Sequence, residues 1–189
     1  MANHFSLKKN NYLSIRGNNP TRCKRLCKWI RYLNEHSYVK YALTANTLLN
    51  KRLLEHVHTT CKVATEGENT GFKFKIGEDE IRISEDDLNE FLELPREDLI
   101  DEPTLEELLE FFTDIHATLE NGKIPRRFYK NHLPKEWNIF FTIISYVFSP
   151  KTGGFHGLNS MVQKIGVAVV HDLKINLGRM LMDKFWPTN

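Results

Sequence analysis

The amino-acid sequence predicts a mainly α-helical fold: a single domain of about six helices with a small antiparallel β-hairpin, or a three-stranded sheet, near residues 57–83. Three observations predict it. Apolar residues recur at three- and four-residue spacing along most of the 189-residue chain, which is typical of helices packed on a core. One short stretch alternates apolar and charged residues, as a half-buried strand does. Residues that favour helix N-caps stand immediately before several of the helical stretches.

The polar segment 1–19 is expected to be flexible, and the loop before Pro20 indicates that a helix opens at Pro20 or Thr21. The apolar stripe of this helix faces inward, and its outer face is basic. Residues 37–54 are expected to be mostly helical as well.

The stretch 72–76 alternates apolar and charged residues, residues 77–80 are typical of a turn, and the alternation resumes at 81–83. This pattern predicts a hairpin. Residues 57–63 are rich in Val and Thr and are expected to add a third strand across a loop at 66–71.

Two acidic helices are expected after the hairpin. Ser84 caps the first, which buries Leu88, Phe91 and Leu92 and ends at Pro95. Thr104 and Glu107 form a capping box for the second. This helix is expected to end at Asn121–Gly122 and to bury one apolar stripe, which consists of Leu105, Leu108, Leu109, Phe112, Ile115 and Leu119.

The remaining chain is predicted to form a basic loop at 123–133 and three helices. Pro134 opens a helix that is apolar on most sides and is therefore expected to be the central, buried one. A helix is expected over 158–172, where length favours a helix over a strand. Asn176 caps the last helix, and residues 187–189 form a tail.

The net charge of +2 conceals three blocks of opposite sign. Residues 1–62 carry twelve Lys or Arg against two acids, residues 63–120 carry four against nineteen, and residues 121–189 carry ten against three. Such asymmetry is typical of a surface for nucleic acid or a protein partner. The competing interpretation is that the blocks neutralise one another within one fold.

No catalytic or metal site is predicted. The chain lacks a nucleophile elbow, a phosphate-binding loop, a metalloprotease motif and a dinucleotide fingerprint. Cys23, Cys27 and Cys61 with His56 and His58 do not have the spacing of a structural zinc site. Because the cysteines are few, odd in number and not accompanied by a secretion signal, they are expected to be reduced thiols. Intracellular localisation, nuclear or cytoplasmic, is therefore expected, with no cofactor, no small-molecule substrate and no membrane partner.

Three stretches resemble a known family. These are FKIGEDEIRISEDDLNEFLELP at 72–95, LPKEWNIFFTIISYVFSP at 133–150 and INLGRMLMDKFW at 175–186. In this order and spacing they resemble the plant transposon protein domain of retrotransposon-derived plant proteins, over roughly residues 40–186. The acidic helix at 104–120 departs from that family. The resemblance implies a mobile-element origin, a mostly helical fold and a non-enzymatic role, and it supplies no catalytic residue.

Two hypotheses for function follow. The first is a protein-interaction or self-association module, in which oppositely charged segments dock and four exposed aromatic residues serve as anchors: Phe128, Tyr129, Phe185 and Trp186. The second is a module that binds DNA or RNA without reading sequence, through phosphate contacts and base stacking. Its candidate residues are Lys24, Arg25, Lys28, Arg31, Arg126, Arg127 and Lys130.

Overall fold

A computed structural model describes residues 4–5, 24–35, 40–41, 49–66, 69–94, 99, 102–148 and 157–185. The chain divides into two compact units. Unit 1 consists of Met1–Lys9, Asn46–Leu99 and Asn176–Asn189, and unit 2 consists of Asn10–Ala45 and Ile100–Ile175. The expectation of one domain over residues 20–186 stays a prediction.

The described part of the chain is mainly α-helical with a small antiparallel sheet, which confirms the predicted fold class. Its helices are α1 (Lys24–Glu35), α2 (Lys51–Thr60), α3 (Glu85–Phe91), α4 (Leu105–Asp114), α5 (Lys135–Phe148), α6 (Ser160–Val170) and α7 (Leu177–Phe185). Its strands are β1 (His4–Phe5), β2 (Leu49–Asn50), β3 (Lys62–Glu66), β4 (Asn69–Ile76) and β5 (Asp79–Ser84). None of the described helices is long and apolar enough to cross a bilayer.

Unit 1 is built on an antiparallel sheet with the strand order β3-β4-β5. The predicted hairpin is confirmed: Phe74 pairs with Ile81, and a tight turn begins at Gly77, whose φ of 66° favours glycine. The third strand lies later than expected, because residues 57–60 continue α2. Cys61 N donates to Val57 O (2.8 Å), and the Thr60 hydroxyl donates to His56 O (2.9 Å). These bonds satisfy carbonyls at the helix end, which overrides the strand propensity of Val and Thr.

Helices α3 and α7 pack together through a buried amide cluster. Asn89 is only 4 % exposed. Its side-chain amide donates to Asn176 Oδ1 (2.9 Å), and its own Oδ1 accepts from Gly178 N (2.8 Å). Asn176 Oδ1 also accepts from Arg179 N (3.0 Å), so the predicted cap of α7 is confirmed. The expected burial of Phe91 was wrong, because Phe91 is 61 % exposed. The buried position of the short helix α3 is taken by Asn89 instead.

Helix α5 lies at the centre of unit 2, as predicted. Phe140, Phe141 and Ile144 have no solvent exposure. The Trp137 ring contacts Trp29 of α1, at 5.3 Å between ring centroids, and Phe111 of α4, at 5.2 Å. Edge-to-face and tilted ring pairs of this kind add to the free energy of burial. The core of unit 2 is therefore largely aromatic, and α6 packs on α5 as the predicted helix.

Helix α4 begins as predicted and ends early. Thr104 and Glu107 form the expected capping box. However, the helix ends at Asp114, where His116 takes a left-handed φ of 58° and Ala117 N donates back to Phe112 O (2.9 Å). The predicted end at residues 121–122 was therefore wrong, since those two residues form a tight turn between Glu120 and Lys123.

The apolar stripe of α4 is only partly buried. Leu108 and Phe112 are buried, whereas Leu105 is 72 % exposed. Leu105 occupies the first helical position, beyond the part of α4 that packs against the core. Its expected burial was therefore wrong.

Candidate nucleic-acid interface

Helix α1 presents basic side chains to solvent because its opposite side is fixed to the core. The Trp29 ring packs on Phe140 at 4.8 Å between centroids, and the Tyr32 hydroxyl donates to Val169 O (3.3 Å). Leu33 is fully buried. Lys28 and Arg31 lie on the other side and are exposed, as predicted. Lys24 and Arg25 belong to the same helix, but their side chains lie outside the described ones.

The basic loop after α4 combines exposed and buried residues. Arg126 and Arg127 are exposed, Phe128 is 2 % exposed, Tyr129 is 38 % exposed and Lys130 is 6 % exposed. Tyr129 has an extended backbone (φ −111°, ψ 155°), in which successive side chains point to opposite sides. Phe128 and Lys130 therefore share the inner side, opposite Tyr129.

Two expectations about this loop were wrong. Phe128 is no exposed anchor, because its ring packs edge-on against Phe112 of α4 at 4.8 Å between centroids. Lys130 is no exposed phosphate ligand, because it is buried, and burial lowers the pKa of its ammonium group.

Backbone and side-chain hydrogen bonds hold the loop in one conformation. Leu158 N donates to Phe128 O (2.7 Å), and Tyr129 pairs with Gly157 in an isolated β-bridge. The Asn138 side chain donates to Lys130 O (2.7 Å). A 3₁₀ turn follows, and its His132 ring contacts the Tyr129 ring at 5.7 Å between centroids. The exposed side chains of the loop thus project from a fixed backbone.

The basic side chains at these two places are not neutralised by the described carboxylates. Lys28, Arg31, Arg126 and Arg127 form no ion pair within the described part of the chain. Elsewhere in unit 2, Lys164 forms an ion pair with Glu102. The acidic helix α4 also points its carboxylates to solvent, namely Glu106, Glu107, Glu110 and Asp114. The described surface of unit 2 therefore exposes both signs of charge.

Two of the four predicted aromatic anchors lie outside what the structure describes: the Phe185 side chain and the residue Trp186. Tyr129 is exposed, as expected. The sequence reasoning did not identify Leu105 as an exposed apolar residue, and the signal that would have found it is its position at N1, immediately after the cap Thr104.

The described residues contain no group of three or more His, Cys, Asp or Glu side chains able to hold a metal ion. Cys61 is half-buried, and burial raises the pKa of its thiol, which makes it a weaker nucleophile at neutral pH. Cys23 and the side chains of Cys27 and His58 lie outside the part of the chain that the structure describes. The zinc site weighed from the sequence uses these residues, so it lies outside that part as well.

The comparisons with known proteins give no neighbour: no protein-family model, no curated protein and no solved structure matches this chain.

Proposed function

We propose that this chain is a non-enzymatic module that binds nucleic acid without reading its sequence, through the exposed basic side chains of unit 2. The observation that carries the proposal is the exposure of Lys28, Arg31, Arg126 and Arg127, none of them in an ion pair with a described carboxylate. We further propose a mobile-element origin, on the resemblance described above, and an intracellular site of action.

Lys28 and Arg31 are three residues apart on α1, so they lie on the same side of the helix. Such a pair suits neighbouring phosphates of a nucleic-acid backbone. Arg126 and Arg127 add two guanidinium groups, which bind phosphate oxygens in a bidentate manner. Contacts of this kind supply affinity and no sequence information.

Salt dependence is the measurement that tests the proposal. Labelled single- and double-stranded oligonucleotides of mixed sequence are titrated with the full chain, and binding is followed by fluorescence anisotropy at 50 and 200 mM NaCl. Four phosphate contacts to a single strand predict that affinity falls about 50-fold between these concentrations. Absence of binding at micromolar protein, or binding insensitive to salt, would overturn the proposal.

Paired substitutions locate the contacts. The variant Lys28→Ala/Arg31→Ala removes two of the four contacts, so the slope of log affinity against log salt should fall by about 1.4. The matched control is Lys62→Ala/Lys75→Ala, which removes the same charge from two exposed lysines of the sheet in unit 1. If the control lowers the slope as much as the α1 variant does, binding depends on net charge alone and not on this surface.

A second candidate function is self-association, and Leu105 favours it. This leucine is 72 % exposed beside the exposed carboxylates of α4, so α4 offers an apolar side chain within an acidic surface. The basic side chains of α1 in a second copy would be its electrostatic complement. Sedimentation velocity of wild type and Leu105→Lys tests this candidate. A dimer that the substitution disrupts supports it, and a wild-type monomer over the accessible concentrations excludes it.

A further inference from the structure

The loop segment Arg126–Tyr129 differs from the basic side of α1 in one chemical respect: an exposed aromatic residue follows two exposed arginines closely along the chain. Arg126 and Arg127 are exposed, and Tyr129, two residues after Arg127, is 38 % exposed. We call the exposed side chains of Arg126, Arg127 and Tyr129 the aromatic ledge.

The aromatic ledge is preorganised. The buried Phe128 ring lies against Phe112, and Phe128 O and Lys130 O each accept a 2.7 Å hydrogen bond from another part of unit 2. The Tyr129 backbone is paired with Gly157, and its ring is braced by His132. A ring fixed in this way loses little conformational freedom when a ligand stacks on it.

An exposed ring beside guanidinium groups suits an unpaired base. Every base has a π-face, so stacking on Tyr129 tolerates any sequence, while Arg126 and Arg127 hold the flanking phosphates. In a duplex the faces of the bases are already stacked on their neighbours, so the ring gains nothing from intact double-stranded nucleic acid.

We propose that the aromatic ledge is a stacking site for one unpaired base of a single-stranded nucleic acid, and that Tyr129 gives the chain a preference for single strands over duplexes. This inference rests on the proposed function and adds the class of nucleic acid to it. The basic side of α1 supplies binding common to both forms, and the ledge supplies the difference between them.

Tyr129→Leu tests the role of the ring. Its expected effect is a loss of affinity for a single strand of about 5- to 140-fold, the range that one stacked base contributes. Duplex affinity and the salt slope should remain those of the wild type, because no phosphate contact is removed. Tyr129→Phe keeps the ring and should retain single-strand affinity. The matched control is Phe91→Leu, which removes an exposed aromatic ring from unit 1.

The substitution Arg127→Ala gives the complementary result: the salt slope for single strands should fall by about 0.7, with both forms of nucleic acid affected. Equal losses for single strand and duplex on Tyr129→Leu would overturn the inference, and so would an unchanged single-strand affinity. In either case the proposed function stands, since the wild type still binds. If the wild type binds neither form, both proposals fall.

A crosslinking experiment on the wild-type chain avoids dependence on the folding of any variant. A single-stranded oligonucleotide carrying 5-iodouracil is bound and irradiated, which joins the base to an aromatic ring stacked upon it. After trypsin digestion the adduct is expected on the peptide Phe128–Lys130, and fragmentation should assign it to Tyr129. Adducts confined to other peptides would contradict the inference. An exposed tyrosine that instead binds a protein partner would give no adduct and no single-strand preference.

Discussion

Replacing Gly178 with alanine should destabilise the chain, although alanine is the better helix former. Gly178 is the second residue of α7, and a Cβ added there would lie 2.6 Å from Asn89 Oδ1 and 2.7 Å from Glu85 O. Both distances are far below van der Waals contact. Glu85 O belongs to the backbone of α3, so it moves only if the helix moves.

The size of this destabilisation follows from two costs and one gain. Overpacking of a close helix contact costs about 1–3 kcal/mol. Separation of α3 from α7 also weakens the hydrogen bond from Gly178 N to Asn89 Oδ1, now 2.8 Å long, at a cost of about 1 kcal/mol. The higher helix propensity of alanine returns up to about 1 kcal/mol. The net expectation is a loss of about 1–3 kcal/mol in the free energy of unfolding, or a Tm lower by about 2–12 °C for a chain of this length.

Urea and thermal unfolding of Gly178→Ala, Asn89→Ala and the double variant measure the effect and its origin. Because Asn89→Ala removes two of the three nearest atoms that the new Cβ would meet, Oδ1 at 2.6 Å and Cγ at 2.9 Å, Gly178→Ala should cost less in that background. The control is Gly157→Ala, since a Cβ there meets nothing within 4 Å. The reasoning is refuted if Gly178→Ala raises stability in the wild-type background.

Three further predictions concern unit 2 and are each checked by unfolding measurements. Thr104→Ala should cost about 1 kcal/mol, because Thr104 Oγ1 accepts from Glu107 N (3.2 Å), whereas Thr104→Ser should keep most of this stability. The hydrogen bonds from Thr104 to the Glu107 carboxylate hold the pKa of Glu107 below its ordinary value, so the stability they contribute is present above the ordinary pKa and is lost as the pH falls through the lowered pKa. Glu107→Gln should therefore flatten the decline in stability below about pH 4. An acid decline equal to that of the wild type would contradict this. His116→Gly should stabilise the chain by about 0.5–1 kcal/mol, because glycine takes the φ of 58° without steric cost, and a loss of stability would show that the His116 side chain makes a compensating contact.

Features encoded by neighbouring residues were predictable from the sequence. The capping boxes at Ser84 and Thr104 each need only a carboxylate three residues later, and both are present in the structure. The hairpin needs alternation and a turn glycine, and its register follows from these. Local chemistry is sufficient in such cases because the partners are within hydrogen-bonding reach along the chain.

Features fixed by distant partners were not predictable. Nothing in the sequence of the basic loop gives the direction of Phe128 or Lys130, because that direction is set by Phe112 and by the pairing of Tyr129 with Gly157. The end of α4 was missed for another reason. Asn121 and Gly122 are the stronger signal for a left-handed residue, but the hydrogen bond from Ala117 N to Phe112 O ends the helix earlier.

The burial of Asn89 shows a third kind of limit. Asparagine is mostly exposed in proteins, and the helical spacing favoured its apolar neighbours for the buried side of α3. It lies inside because its amide nitrogen donates to the side chain of the cap residue Asn176, while its amide oxygen accepts from the backbone N–H of Gly178. Neither partner is recognisable before the two helices are placed together.

The contact between Trp29 and Trp137 gives the chain an optical signal of its own. Two indoles whose centroids are 5.3 Å apart couple their electronic transitions, which produces a paired positive and negative band in circular dichroism. Trp29 and Trp137 both belong to unit 2. The coupled band therefore reports the integrity of unit 2. Followed during denaturation beside the far-ultraviolet signal of the whole chain, it distinguishes units that melt together from units that melt in succession.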